Sequence, residues 1–248
     1  MDKRYLLVVP VAAFAILGAV GYVAGMPKPA TMVSEQPLTA AVADAASVTA
    51  MQPAASTVDT AAVPVDQEWL LRTGAATGIP VRALQAYAVA AQLTERANPG
   101  CNLGWNTLAA IGEIESGHGT HGGATLNQDG TTTQQILGPV LDGTSTAAIA
   151  DTDRGALDGD TRWDRAVGPL QFIPDSWARH GVDADGDGVA DPNDIDDAAL
   201  TAAVYLCASG DLSTPDGWTA AVHSYNHLDS YVVRVRERAT AYAQQAEQ

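Results

Sequence analysis

Leu108-Ala-Ala-Ile-Gly-Glu-Ile-Glu-Ser-Gly-His-Gly119 is the stretch on which the reading of this chain turns. Its spacing predicts a helix. Leu108 and Ile111 stand seven and four residues before Glu115, so the three share one stripe. That stripe is apolar, and a carboxyl occupies a place where a core side chain belongs. Burial disfavours the ionised form, which gives such a carboxyl the raised pKa of a general acid working near neutral pH. A half-buried glutamate satisfied by a backbone donor explains the residue equally well at this point. Glu113 lies about 200° away around the same helix and is expected to face water. The helix is expected to stop at Gly117-His-Gly119.

Around this segment the chain reads as mostly helical. Glu68-Trp-Leu-Leu-Arg72 predicts a short helix ending near Gly74. Pro80 starts another, with Leu84, Tyr87, Ala88 and Ala91 on its apolar face. Asp175 to Gly181 is a short helix that Asp175 can cap, and Asp197 to Ala208 is a longer one rich in Ala and Leu. Trp218, Ala221, Val222 and Tyr225 are helically spaced, as are Val232, Val235, Ala239 and Tyr242. Between Gly122 and Arg162 the chain is rich in Gly, Thr and Asp, too long for a plain connector. Convincing strand alternation is scarce.

Asp183-Ala-Asp-Gly-Asp-Gly-Val-Ala-Asp-Pro-Asn-Asp194 matches a twelve-residue EF-hand loop. Asp183, Asp185 and Asp187 take positions 1, 3 and 5, and Gly188 is the turn glycine. Val189 offers its carbonyl at position 7, and Asp191 sits at position 9. A hard cation needs several oxygen ligands, and alternate carboxylates on a tight turn converge on one point. Position 12 is Asp194 rather than the usual bidentate Glu, a shortfall that Asp196 or Asp197 can offset. The expected cofactor is a structural Ca2+ ion, with no organic cofactor. An acidic turn without metal is the plainer alternative.

The N-terminus begins Met1-Asp-Lys-Arg4 and continues as an apolar run from Tyr5 to Gly25. About 20 apolar residues cross a bilayer. Residues 1–26 therefore read as an anchor with its basic end in the cytoplasm, or as a cleaved export signal. Residues 27–65 are Ala, Pro, Thr, Ser and Val with no sustained period, and read as a disordered linker. A folded domain occupies residues 66–248. Cys101 and Cys207 are the only cysteines. In an exported domain the pair reads as one disulfide, worth up to about 4.7 kcal/mol for a loop of about a hundred residues, against two unrelated buried thiols. The net charge of −16 repels phosphate backbones, so nucleic acid is not an expected partner. His118 and His121 lack a third ligand for zinc. Trp105, Trp163 and Trp177 suit either the core or a sugar face.

Several segments occur in a specific order. They are Ile79-Pro80, Ala83-Leu-Gln-Ala-Tyr87, Cys101-Asn-Leu-Gly-Trp105, the Glu115 helix, Ala166-Val-Gly-Pro-Leu-Gln-Phe-Ile-Pro174, the Asp-rich loop and Ser224-Tyr-Asn-His227. From about Asp66 to Ala243 the chain resembles a lytic murein transglycosylase of the membrane-bound B type, in its actinobacterial form. The resemblance implies a mainly α, lysozyme-like transglycosylase domain carrying the EF-hand-like calcium loop, behind a transmembrane anchor and a disordered linker. It implies cleavage of the β-1,4 bond between N-acetylmuramic acid and N-acetylglucosamine in peptidoglycan, giving 1,6-anhydro ends. Glu115 would be the single catalytic acid and later the base. Ser116, Gln171, Tyr225 and Asn226 would bind the sugars.

The implied location is the cell envelope, at the outer face of the cytoplasmic membrane or secreted, as a monomer acting on glycan strands. Two alternatives stay open. One is a hydrolytic muramidase, with Asp164 or Asp175 as the second carboxylate that ordinary glycosidases need. The other is a non-catalytic wall-binding module that contains calcium.

Overall fold

A computed structural model describes residues 63–144 and 146–248. The expected anchor at residues 1–26 and the linker up to residue 62 lie outside them. Among the described residues no helix is long and apolar enough to cross a membrane. Val63, assigned to the linker from sequence, is already buried.

The described residues are mainly helical. Helix α1 (Gln67–Thr77) is capped by Asp66, whose carboxylate accepts the Trp69 N–H at 2.6 Å. It runs through Gly74, expected to end it, and stops at Gly78 in a left-handed conformation. Gly74 serves packing instead, since a methyl group there would come within 3.2 Å of the Ile79 carbonyl and of Val81. Helix α2 (Val81–Ala97) starts behind Pro80. Helix α3 (Trp105–Ser116) contains the decisive stretch. Gly117 ends it at φ 62, where glycine carries no Cβ penalty.

Two strands that the sequence does not announce occur here, one inside the long Gly, Thr and Asp-rich segment and one just after it. Strand β1 (Leu137–Val140) pairs antiparallel with β2 (Arg165–Val167), Leu137 opposite Val167 and Val140 opposite Arg165, with an irregularity between. Strands of four and three residues are too short to display an alternation, and Gly138 and Pro139 erase what there is. Helices α4 (Pro174–His180), α5 (Ile195–Cys207), α6 (Pro215–Tyr225) and α7 (Asp229–Ala246) complete the fold. In α4, Pro174 takes the first turn and Asp175 pairs with Arg179 one turn on, in place of the expected cap.

The core lies where α2 meets α5 and where α3 packs between α2 and α7. Leu84, Tyr87, Leu108, Ile111, Leu170, Ile195 and Leu206 are fully buried there. Cys101 and Cys207 form a disulfide with Cα atoms 5.3 Å apart, tying the approach to α3 to the last residue of α5. The Leu212 N–H adds a bond to the Cys101 carbonyl at 2.8 Å.

Candidate active site

Helix α3 delivers Glu115. Leu108 and Ile111 are fully buried, and Glu115 follows on the same stripe, partly buried at the end of the helix. Its carboxyl meets two elements from far along the chain. Tyr231, in the first turn of α7, donates its hydroxyl to Glu115 Oε1 at 2.5 Å. Tyr225, at the end of α6, lies close enough for the Glu115 charge to add to the burial that holds its phenol protonated. Burial pushes the Glu115 carboxyl up to about 7, against the Tyr231 hydrogen bond and the Arg234 charge, which pull it down. A carboxyl at that value supplies acid and conjugate base together near neutral pH. No backbone donor to Glu115 occurs among the described residues. The tyrosine supplies the hydrogen bond that a half-buried glutamate requires.

Beside Glu115 the Gly168-Pro-Leu-Gln-Phe172 segment makes a tight turn. Val167 and Phe172 exchange backbone hydrogen bonds at 2.8 and 3.0 Å. Gly168 sits at φ 79, and a methyl group there would overlap the Pro192 carbonyl oxygen, so the turn rests directly on the end of the Asp-rich loop. Gln171 is held at φ 52, a conformation that non-glycine residues seldom adopt outside functional turns. Its amide donates to the Gly168 carbonyl at 2.9 Å. The Tyr225 hydroxyl donates to the Leu170 carbonyl at 2.7 Å, which fastens α6 to the same turn.

A cavity of about 310 Å³ opens here, lined by Gln171, Phe172, Ile173, Tyr205, Tyr225 and His227 among others. Aromatic faces and a few polar groups converge in it. Tyr225 belongs both to this cavity and to the surroundings of Glu115. A larger cavity of about 430 Å³ between α2 and α5 is lined by Leu93, Val182, Leu200 and Val204 and has no titratable side chain in its wall. It offers no acid–base chemistry.

The remaining expected site residues fall as follows. Ser116 is buried, donates to the Pro169 carbonyl at 2.6 Å and accepts the Gly119 N–H at 2.7 Å. Its hydroxyl braces the turn against the end of α3. Asn226 caps α6, and its side-chain oxygen accepts the Leu228 N–H at 3.2 Å. Asp164 is fully buried, accepting the Thr152 N–H at 2.9 Å and the Thr152 hydroxyl at 2.7 Å. Of the tryptophans, Trp177 is buried edge-on against Phe172, and Trp105 meets Trp69 in the same way. Glu113 does not face water freely. Arg238 and Tyr242 of α7 both bind it.

Tyr231 was missed by sequence reasoning. It lies one residue before Val232, next to the apolar stripe of α7, and reads there as one more core aromatic. Its signal was a hydroxyl on a buried face that needs an acceptor.

In the Asp-rich loop, carboxylate oxygens of Asp183, Asp185 and Asp187 lie within 4.8 Å of one another. Burial, then the charges of Asp187, Asp183 and Asp196, raise Asp185 above its usual value, while a bond from the Asp187 N–H opposes them. Val189 is exposed, with its N–H on Asp187 at 2.8 Å. Asp191 and Asp194 stand outside the tight group. Asp191 accepts from the Asn193 N–H and side-chain amide, at 2.8 and 3.0 Å. Asp194 caps α5, accepting the Asp196 N–H at 2.7 Å. Burial drives Asp194 up to about 7. Asp197 spans the loop, accepting the Ala184 N–H at 2.6 Å and the Asp191 N–H at 2.8 Å, and burial likewise drives it up to about 7.

The family model for the transglycosylase SLT domain matches residues 81–247, from the first residue of α2 to beyond the end of α7. Comparison with curated proteins and with solved structures gives no match.

Proposed function

The chain belongs to the transglycosylase SLT domain family and is a peptidoglycan lytic transglycosylase, and from that premise we propose that Glu115 is its single catalytic acid and base. The observation that carries this reading is the partly buried carboxyl at the end of α3, raised to about 7 by burial and bonded by Tyr231, with Tyr225 linking it to the aromatic cavity that Tyr225 lines.

The substrate bond is the β-1,4 link between N-acetylmuramic acid and N-acetylglucosamine. Protonated Glu115 donates to the glycosidic oxygen as the bond to C1 of the muramic acid breaks, and the glucosamine leaves with a free hydroxyl. The substrate's own N-acetyl group steadies the positive charge at C1. The Glu115 carboxylate then takes the proton from the C6 hydroxyl, whose oxygen closes on C1. A 1,6-anhydro ring forms, Glu115 is protonated again, and no water is consumed. Tyr231 holds the carboxylate in place and favours its ionised form during the second step. Gln171 and Tyr225 line the sugar-binding cavity, while Ser116 and Asn226 act by bracing its walls.

A single acid suits the remaining carboxylates. Asp164 is closed around Thr152, and Asp175 is paired with Arg179. A hydrolytic route needs a second carboxylate free to activate water.

The donor set of the Asp-rich loop fits a hard divalent cation. Asp183, Asp185 and Asp187 would hold a structural Ca2+ ion, which neutralises their mutual repulsion. Asp191 and Asp194 serve the loop backbone and the α5 cap. Since Gly168 rests on Pro192, an ordered loop also supports the Gln171 turn. SLT domains act on the cell wall, so the domain works in the cell envelope. Residues 1–26 would anchor it to the cytoplasmic membrane and residues 27–62 would carry it into the wall. The order and spacing of the segments quoted from the sequence support the membrane-bound B type, in its actinobacterial form, as the subtype we propose.

Mass spectrometry of digested peptidoglycan tests the mechanism. The wild type should release muropeptides with anhydro ends, lighter by one water than reducing ends, and Glu115→Gln should release neither. Reducing ends from the wild type would replace this reading with hydrolysis.

A further inference from the structure

Helix α7 grips two carboxylates of α3. Its Tyr231 binds Glu115, and its Arg238 and Tyr242 bind Glu113. The rest of its inward face is Val232, Val235 and Ala239, which are buried and non-directional. Apolar packing of that kind tolerates a small slide or rotation, whereas hydrogen bonds fix the register. Asn106 adds one such bond, to the Ala239 carbonyl at 3.0 Å.

The Glu113 grip does not end at Tyr242. His118 follows the Gly117 turn, is buried, and sits at φ 62. Its Nε2 lies 3.0 Å from the Tyr242 hydroxyl and its Nδ1 lies 3.2 Å from the Tyr87 hydroxyl of α2. The bonding pattern assigns the protons. Tyr242 donates to Glu113 Oε2 at 2.5 Å, so its oxygen is the acceptor for the His118 Nε2–H. Nδ1 then accepts from the Tyr87 hydroxyl. Gly112 makes room for this arrangement, since a methyl group there would overlap the Tyr87 hydroxyl oxygen. The result is one directed chain from Tyr87 through His118 and Tyr242 to Glu113 and Arg238, wrapped around the half of α3 that bears Glu115.

We propose that His118 is a positioning residue for the transglycosylase reaction: through Tyr242 and Glu113 it sets the register of α7 on α3, and thereby places the Tyr231 hydroxyl on Glu115. Tyr231 and Tyr242 stand about 16 Å apart along one helix, at 1.5 Å per residue. A rigid helix carries the constraint from one end to the other.

Burial holds His118 down to about 4, with the Glu113 charge opposing and the Arg238 charge adding, so the neutral ring that the chain requires is the form present at working pH. Burial alone would raise Glu113, but its bonds to Arg238 and Tyr242 outweigh that and keep it an ionised acceptor. The groups that face His118 are Tyr87 from α2, Glu113 from α3, and Tyr242 and Arg238 from α7. Those that face Glu115 are Tyr225 from α6, and Tyr231 and Arg234 from α7.

The inference rests on Glu115 as the acid, and a set of variants separates the two claims. The full chain is assayed on peptidoglycan for anhydromuropeptide release across pH, as wild type, His118→Phe, Tyr231→Phe, the double variant, His118→Gln and Glu115→Gln. His118→Phe should lower kcat by about tenfold, the order expected when a charge-assisted hydrogen bond is lost. It should move the alkaline limb of the pH profile upward, as Tyr231→Phe does, with little change in KM. The double variant should be no worse than the worse single one, because both remove the same contact. His118→Gln, which keeps one donor and one acceptor, should recover most of the rate. If His118→Phe does not fold, Tyr242→Phe removes only the shared hydroxyl and is read in the same way. An unmoved pH profile in a folded His118→Phe or Tyr242→Phe, or losses that multiply fully with Tyr231→Phe, would overturn the proposal. An active Glu115→Gln would instead overturn the acid assignment.

Discussion

Replacing Glu115 by Gln should stabilise the protein, and by an amount that depends on pH. Glutamine keeps the shape of the protonated carboxyl and still accepts from Tyr231, but it cannot ionise. The folded carboxyl titrates at about 7, whereas its ordinary value is 4.5. Below pH 4.5 both folded and unfolded chains carry the protonated form, and wild type and variant should melt together. As pH rises toward 7 the unfolded chain ionises freely while the folded chain resists, so the wild type loses stability that the variant keeps. The difference should be complete above pH 7. At about 1.36 kcal/mol per pH unit the interval corresponds to about 3 kcal/mol, an upper value because Glu115 is only partly buried. Thermal melts of both proteins at pH 5, 7 and 8.5 read the difference directly. Equal melting temperatures at pH 8.5, or a variant less stable there than at pH 5 relative to wild type, would refute the argument that burial sets the acidity of Glu115.

Three further outcomes follow from the geometry. Tyr231→Phe removes the bond that favours ionised Glu115, so the carboxyl should keep its proton to higher pH; the alkaline limb of kcat/KM should move up by about 1 to 2 pH units, for a charged hydrogen bond worth about 1.5 to 3 kcal/mol. Gly168→Ala forces a Cβ onto the Pro192 carbonyl oxygen at a positive φ, and should cost about 2 to 4 kcal/mol in a denaturant titration together with loss of activity. A calcium chelator should lower the melting temperature of the full chain while sparing activity at low temperature, because Asp183, Asp185 and Asp187 would repel one another without the ion; an unchanged melting temperature would contradict the calcium assignment.

The local parts of the fold were legible because they depend on near neighbours. The Leu108, Ile111 and Glu115 stripe, the stop at Gly117 and the apolar faces of α2, α6 and α7 all follow from spacing along one helix. The cysteine pair was legible from its count and compartment, and the structure bonds it. Contacts between distant residues were not. Tyr231 reaches Glu115 across 116 positions and Tyr242 reaches Glu113 across 129, and no periodicity encodes either meeting. Glu113 appeared free because its partners Arg238 and Tyr242 lie on the last helix. Ser116 looked like a sugar ligand, yet the Pro169 carbonyl and the Gly119 N–H use its hydroxyl. The β1–β2 pair escaped because its partners, Leu137 with Val167 and Val140 with Arg165, are 30 and 25 residues apart and each strand is too short to alternate.

The most direct test is the mass of the muropeptides released from purified peptidoglycan at pH 7 by the wild type and by Glu115→Gln. Anhydro ends from the wild type, with no product from a folded Glu115→Gln, are the expected result. Product release by that variant at the wild-type rate would contradict the assignment of Glu115 as the acid.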